Sequence, residues 1–292
     1  MNPRIIDVRV HPGDSAFLID DGQTAILYDT GFGFTGERLA QNVAQILGKR
    51  TLDYIFLTHS HYDHVLGACH VQKIYPQAQI VAGEYVKKIF AKPSARATMR
   101  ALDQSAARNE GVDTYEDLTD ELHVDITVGD GDEIVCGSMT FRVISLPGHT
   151  KCSIGFYMEE EGLLLGTETL GVYLGEGAYL PSYLVGYQMT MDSFARAQAL
   201  DVRRLLIPHY GEMAGEEAQA YLRDSKKAAM DAAQRIREIF ISGGSKEEAF
   251  AYFRETFYTE CVRPTYPIEA FKLNTSILID LIQRELVQSC EA

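Results

Sequence analysis

Short apolar runs with turn sequences between them open the chain, and that pattern reads as strands. Arg4–Val10, Ala16–Asp20 and Thr24–Asp29 are rich in Ile, Val, Leu and Tyr, with turns at His11–Asp14 and Asp20–Gly22. The period then changes. From about Thr35 to Leu47, the residues Leu39, Val43, Ile46 and Leu47 share one stripe of a helix. Tyr54–Leu57 and Ile80–Ala82 read as buried strands, and Glu84 to Asn109 as helix broken near Pro93. A second strand set follows at Asp132–Val135, Met139–Ser145, Ser153–Met158 and Leu163–Leu165, with Glu159–Glu161 as a solvated hairpin turn. A helix over Met191–Leu200 and a strand at Arg204–Pro208 complete this part.

After Gly215 the character is helical. Ala218, Leu222, Ala229, Ala233, Ile236 and Phe240 recur at helical spacing through Glu216–Ile241. Ser245-Lys-Glu-Glu248 is a capping box, and Ile268–Val287 reads as a last helix. The pattern divides the chain into a βα-rich part, 1–214, and a helical C-terminal appendage, 215–292.

Composition narrows the function. The chain has 292 residues, 46% of them hydrophobic, which is enough to bury a large core. No run approaches the ~18 uncharged apolar residues of a membrane span. Met1 to Val10 carries Arg4, Asp7 and Arg9 and has none of the apolar stretch of a secretory signal. Lys and Arg number 27 against 41 Asp and Glu, a formal charge of −14. Such a field repels polyanions, so a small-molecule substrate is expected rather than nucleic acid. The cysteines, Cys69, Cys136, Cys152, Cys261 and Cys290, are odd in number, scattered and without a CxxC pair. That usage fits a reducing cytoplasm.

The chemistry is concentrated in His59-Ser-His61-Tyr-Asp63-His64. At this chain's own residue frequencies the pattern HxHxDH arises by chance in about 4 of 10,000 such sequences, so it is a strong motif. Imidazole is the commonest metal ligand. After a strand at Tyr54–Leu57, residues two apart point the same way, which lets His59 and His61 share an ion. Asp63 and His64 face a second ion if the loop turns. His149, in Leu146-Pro-Gly-His149-Thr, and His209, in Ile207-Pro-His209-Tyr-Gly, lie beside strands. Each is a weak signal alone and a candidate ligand beside the first motif. His11, His70 and His123 have no matching partners and read as surface or packing residues; Cys152 reads as a small buried packing residue.

In order and spacing, HxHxDH, the PGHT turn, an acidic residue after an apolar strand and a later His after a strand resemble the metallo-β-lactamase superfamily. Asp29-Thr-Gly31 looks like that family's early Asp-Thr-Gly turn. The resemblance covers roughly residues 4–212. It implies an α+β fold, a four-layer αβ/βα sandwich with metals at one edge. Position by position it implies His59, His61 and His149 at a first metal, and Asp63, His64 and His209 at a second. The family's bridging Asp falls at Glu168, one methylene longer. Glu168 can bridge, bind one ion only, or change the preferred metal. Two divalent transition-metal ions are implied, zinc first, with iron or manganese equally suited to histidine and carboxylate.

The implied reaction is attack by a dinuclear-metal-bound hydroxide on a small ester, thioester or lactone. Asp63 is the candidate catalytic residue, orienting that nucleophile and relaying its proton. Small phosphodiesters are the alternative substrates. A ligand-binding or regulatory protein that keeps the metal fold with weak activity is the alternative of a different class. The acidic balance, the lack of a signal and His61 point away from the superfamily's nucleases, secreted β-lactamases and flavodiiron proteins respectively. Helical appendages also occur in members resembling glyoxalase II, where they help enclose the substrate. The segment Tyr173–Met189, with Tyr173, Tyr179, Tyr183 and Tyr187, either lines a pocket or packs on the appendage. With the apolar helix carrying Ile277, Leu278, Leu281, Ile282 and Leu286 it is also a candidate homodimer face.

Overall fold

Strands form where the chain is apolar on both faces. Phe17–Asp20 (β2), Ala25–Tyr28 (β3) and Tyr54–Leu57 (β4) are buried at almost every position, so their side chains must pack on two sides. The computed structural model describes residues 2–175, 177–263 and 266–288. Cys290, named above, lies outside the described residues. The chain divides into two units, Met1–Ser145 with Cys152–Leu165, and Leu146–Lys151 with Gly166–Ala292.

In the first unit, β1 (Arg4–Asp7), β2, β3, β4, β5 (Gln79–Gly83) and β6 (Ile126–Val128) form one sheet in chain order. The first three strands pair antiparallel and the rest parallel. Parallel neighbours need crossovers, and helices supply them. These are α1 (Gly36–Leu47), then α2 (Tyr62–Val65) with α3 (Ala68–Ile74), then α4 (Glu84–Phe90) with α5 (Pro93–Asn109). The helix break near Pro93 falls between α4 and α5, as the sequence predicts. A second set of strands, β7 (Glu133–Cys136), β8 (Met139–Ser145), β9 (Ile154–Met158) and β10 (Leu163–Leu165), is an antiparallel meander.

The two-residue period assigns the faces. Leu18, Leu27, Ile55, Leu57 and Ile80 pack with Leu39, Val43, Val65, Val71 and Val86 of the helices. Phe56 points the other way. It stacks on Phe156 of β9, centroids 4.4 Å apart, and meets the edge of Phe141 of β8 at 5.5 Å. The unit is therefore layered helix, sheet, sheet. His70 is 5% exposed, and burial lowers its imidazole pKa, so it is a packing residue as expected. Asp103 of α5 is 1% exposed and accepts a hydrogen bond from Gly33 N at 2.9 Å. Burial pushes its carboxyl up to about 6.

The second unit holds a small hairpin, β11 (Val172–Tyr173) with β12 (Tyr179–Leu180), and a second hairpin, β13 (Arg204–Ile207) with β14 (Gly211–Ala214). Its helices are α6 (Tyr187–Gln198), α7 (Glu216–Ile241), α8 (Lys246–Phe257) and α9 (Ile268–Ile282). The predicted capping box at Ser245 is present with both of its hydrogen bonds. Two boundaries differ from expectation. Helix α6 starts at Tyr187 rather than Met191, because the Glu285 carboxylate accepts from Tyr187 N at 2.9 Å and so caps the helix from far along the chain. The last helix ends at Ile282 and passes into a π turn over Gln283–Val287. Leu278, Leu281 and Ile282 are buried inside this unit, so most of the expected dimer stripe is spent on internal packing.

Two outcomes follow from this packing. Phe56→Ala should destabilise the protein by about 3–5 kcal/mol, read from the urea midpoint, because it empties a fully buried aromatic site. Asp103 has a folded-state pKa above its ordinary 3.8, so the folded state binds the extra proton between that value and about 6. Its contribution is present at acid pH and is lost as pH rises through about 6. The Asp103→Asn variant should remove that fall from the stability-versus-pH curve; superimposable curves for the two proteins contradict it.

Candidate metal centre

The histidine motif begins at His59, two residues beyond the end of β4. His59 is fully buried, and His61 has extended backbone (φ −73°, ψ 147°) as the residue that enters α2. Asp63 and His64 lie inside that short helix, so the loop does turn. The ring centroids of His59 and His61 are 4.6 Å apart, and those of His59 and His64 are 4.1 Å apart. His64 Nε2 lies 3.8 Å from Asp63 Oδ2. The first unit thus gathers His59, His61, Asp63 and His64.

One carboxylate organises this loop. Asp29 is fully buried at the end of β3, in left-handed backbone with φ 52°. It accepts from Ser15 Oγ (3.0 Å), Thr58 N (2.9 Å), Thr58 Oγ1 (3.0 Å) and His64 Nδ1 (2.7 Å). A carboxylate only accepts, so His64 carries its proton on Nδ1 and its lone pair on Nε2. The Thr58 hydroxyl gives its one proton to Asp29. Toward His59 Nδ1, 3.0 Å away, it can therefore only accept. His59 is thus also an Nδ1–H tautomer with its lone pair on Nε2, the form in which histidine ligates a metal.

The second unit gathers His149, Glu168 and His209. His149 follows Gly148, whose φ of 144° and contact with Thr190 leave no room for a Cβ. Ser182 orients the ring, with its carbonyl oxygen 3.0 Å and its hydroxyl 2.8 Å from His149 Nδ1. His209 sits at the tip of the β13–β14 hairpin with φ 65°, a conformation rare for a residue other than glycine. Glu168 is 5% exposed and opens a 3₁₀ turn over Glu168–Leu170. Its two oxygens reach different imidazoles: Oε2 is 2.9 Å from His149 Nε2, and Oε1 is 3.4 Å from His209 Nε2. The extra methylene of Glu lets the carboxylate span both rings.

Helix α7 secures that turn. Ser225 Oγ donates to Leu170 O at 2.7 Å and Tyr221 OH to Gly171 O at 2.9 Å. The tyrosine-rich segment packs on the same helix. Tyr173 lies 5.1 Å from Tyr179, 4.5 Å from Tyr210 and 5.8 Å from Tyr221, centroid to centroid. Tyr183 is fully buried and Tyr187 belongs to α6. The sequence reading missed Tyr210 and Tyr221, although Tyr210 directly follows His209.

The donors are chemically apt for a divalent transition metal. They are imidazoles and carboxylates; His59 and His64 are held in the ligating tautomer, and Ser182 orients His149 from behind. His149 Nε2 and His209 Nε2 both converge on the Glu168 carboxylate, at 2.9 and 3.4 Å.

Fold and donors together define an α+β protein with loops at strand ends whose histidines and carboxylates could hold a metal ion. The sequence profile of the Metallo-beta-lactamase superfamily matches residues 13–209, and the chain belongs to that superfamily. It is 28% identical over 144 residues to glyoxylase B2 of Dictyostelium discoideum, covering 48% of this chain and 44% of that protein. It is 26% identical over 156 residues to hydroxyacylglutathione hydrolase of Bartonella henselae, covering 52% and 49%. The chain spans about half the length of the curated relatives it matches. A metallo-beta-lactamase family protein of Thermus thermophilus shares the fold, with a TM-score of 0.65, 19% identity, and coverage of 97% of this chain and 93% of that one.

The Asp29 network predicts a large stability effect. Asp29→Ala strands buried donors on Ser15, Thr58 and His64, and should cost roughly 3–5 kcal/mol in urea unfolding. A loss under about 1 kcal/mol, the worth of one ordinary hydrogen bond, contradicts the network.

Proposed function

We propose that this protein is a metal-dependent hydrolase of small esters, thioesters or lactones. The observation that carries the reading is the gathering of His59, His61, Asp63 and His64 in one loop and the convergence of His149 and His209 on the Glu168 carboxylate, at 2.9 and 3.4 Å. Two divalent ions, zinc before iron or manganese, would be held by His59, His61 and His149, and by Asp63, His64 and His209. Glu168 would be the ligand common to both. When bound, such ions supply Lewis acidity, polarising a carbonyl oxygen and making water acidic enough to react near neutral pH.

The chain's own groups do the rest. Asp63, half-buried in the first turn of α2, orients the attacking water and accepts its proton. Thr58 and Asp29 keep His59 and His64 in the ligating tautomer, and Ser182 orients His149. The partly exposed rings of Tyr173 and Tyr210, beside His209, offer apolar faces to the substrate. Matches to proteins named hydroxyacylglutathione hydrolase favour a thioester within the class. The formal charge of −14 favours a small molecule over nucleic acid. Residues 1–214 would carry the catalytic fold and 215–292 its helical appendage. Cys69, Cys136, Cys152 and Cys261 are thiols rather than disulfides, which supports a cytoplasmic setting. Among the described residues, no helix is long and apolar enough to cross a membrane.

Metal analysis of the purified protein tests this reading, and two transition-metal ions per chain are expected. Losing an outer-shell partner typically costs 10–100-fold, so His61→Ala should lower kcat/KM on a generic thioester by at least about 100-fold. Binding without turnover moves the regulatory reading ahead. One ion or none after reconstitution, or turnover that survives in His61→Ala, overturns the two-metal hydrolase.

A further inference from the structure

The loop that follows Asp29 carries aromatic side chains that the chemistry above leaves unused. Phe32 and Phe34 sit 5.0 Å apart, centroid to centroid, and the ring of Phe32 is 5.6 Å from Tyr62, the residue between His61 and Asp63. His11 meets Phe32 at 6.0 Å and Phe34 at 6.4 Å, and Tyr115 meets Phe34 at 6.3 Å, all edge-on. Phe32 is 8% exposed and forms the base of the group; Phe34 and Tyr62 are half-buried, Tyr62 packing in part against the core of this unit.

The backbone beneath these rings is tied down far more than a surface loop requires. Thr30 N donates to His64 O at 2.7 Å and Gly31 N to Ser15 O at 3.0 Å. Phe32 N and Thr35 Oγ1 donate to Asp14, at 3.2 and 3.1 Å, and Gly33 N donates to Asp103 at 2.9 Å. Asp14 and Asp103 are each 1% exposed, and burial raises both carboxyls. Burying carboxyl groups is costly. Here two of them hold a short loop whose rings remain partly open, directly beside the metal-ligand motif. These bonds hold the loop, and the rings it carries, in one preorganised arrangement.

We propose that Phe34 and Tyr62, seated on Phe32, form a wall that selects substrates carrying an aromatic ring. The proposal rests on the hydrolase reading and names its substrate class: an ester or thioester whose acyl group bears an aryl ring. Edge-to-face and offset contacts with two fixed rings favour an aryl group over an alkyl group of equal reach.

The metal-loaded protein and its Phe34→Leu, Tyr62→Leu and Tyr62→Phe variants are compared on phenylacetyl and acetyl thioesters of one thiol. Calorimetric binding of phenylacetate against acetate reads the wall without turnover. The parent should prefer the aryl compound by about 10-fold or more in both measurements. Each Leu variant should lose most of that preference through KM, and Tyr62→Phe should keep it. Elemental analysis of each variant separates loss of the wall from loss of the metal. Turnover with no aryl preference, or a preference that the Leu variants retain, overturns the wall and leaves the hydrolase intact. Selective binding of phenylacetate, lost in Phe34→Leu, in a protein that turns over neither thioester supports the wall and overturns the hydrolase. Absence of preference in both binding and turnover overturns the wall.

Discussion

A single buried carboxylate, Asp29, sets the geometry on which the first unit's chemistry depends. A charge taken out of water is tolerated only when its lone pairs are filled, and Asp29 fills them from three directions. The donors lie before β2, after β4 and on α2. Satisfying one side chain therefore fixes where β4 ends, how the motif loop turns and which way His64 faces. The effect passes through Thr58 to His59, whose tautomer follows from a hydroxyl proton already given to Asp29. Thr30 extends the same tie by donating to His64 O, and Gly67 is needed because the backbone of Thr30 passes too close for any side chain there. The left-handed backbone of Asp29 is the local cost of this arrangement.

The second unit solves a similar problem with different parts. Its acidic residue sits on a one-turn 3₁₀ segment, which has little stability of its own. Ser225 and Tyr221 of α7 bond the carbonyls that end that turn, so a helix from the C-terminal part holds Glu168 in place. Ser182 does the same for His149. Helix α7 thus supports the turn that carries Glu168 as well as the tyrosine hairpin that packs on Tyr221. The turn is held firmly enough for the Glu168 carboxylate to reach both His149 and His209.

The sequence by itself determined the features governed by local rules. Strand positions such as Tyr54–Leu57 and Met139–Ser145, the helix Glu216–Ile241 and the capping box at Ser245 follow from periodicity and short-range hydrogen bonding. The donor chemistry was legible too, because three histidines and an aspartate in six residues are rare without a reason. The match to residues 13–209 shows that the order of the motifs was enough to find the superfamily. What only the tertiary structure decided involves partners distant in the chain. Strands β6 and β14, too short or too polar to announce themselves, form because neighbouring strands offer hydrogen bonds. Helix α6 begins at Tyr187 because Glu285 caps it. The tautomers of His59 and His64, the orientation of His149, the reach of Glu168 and the ring cluster around Phe32 all arise from contacts between residues that periodicity cannot relate. Periodicity reports which face of an element is apolar; it carries no information about which distant side chain will meet that face.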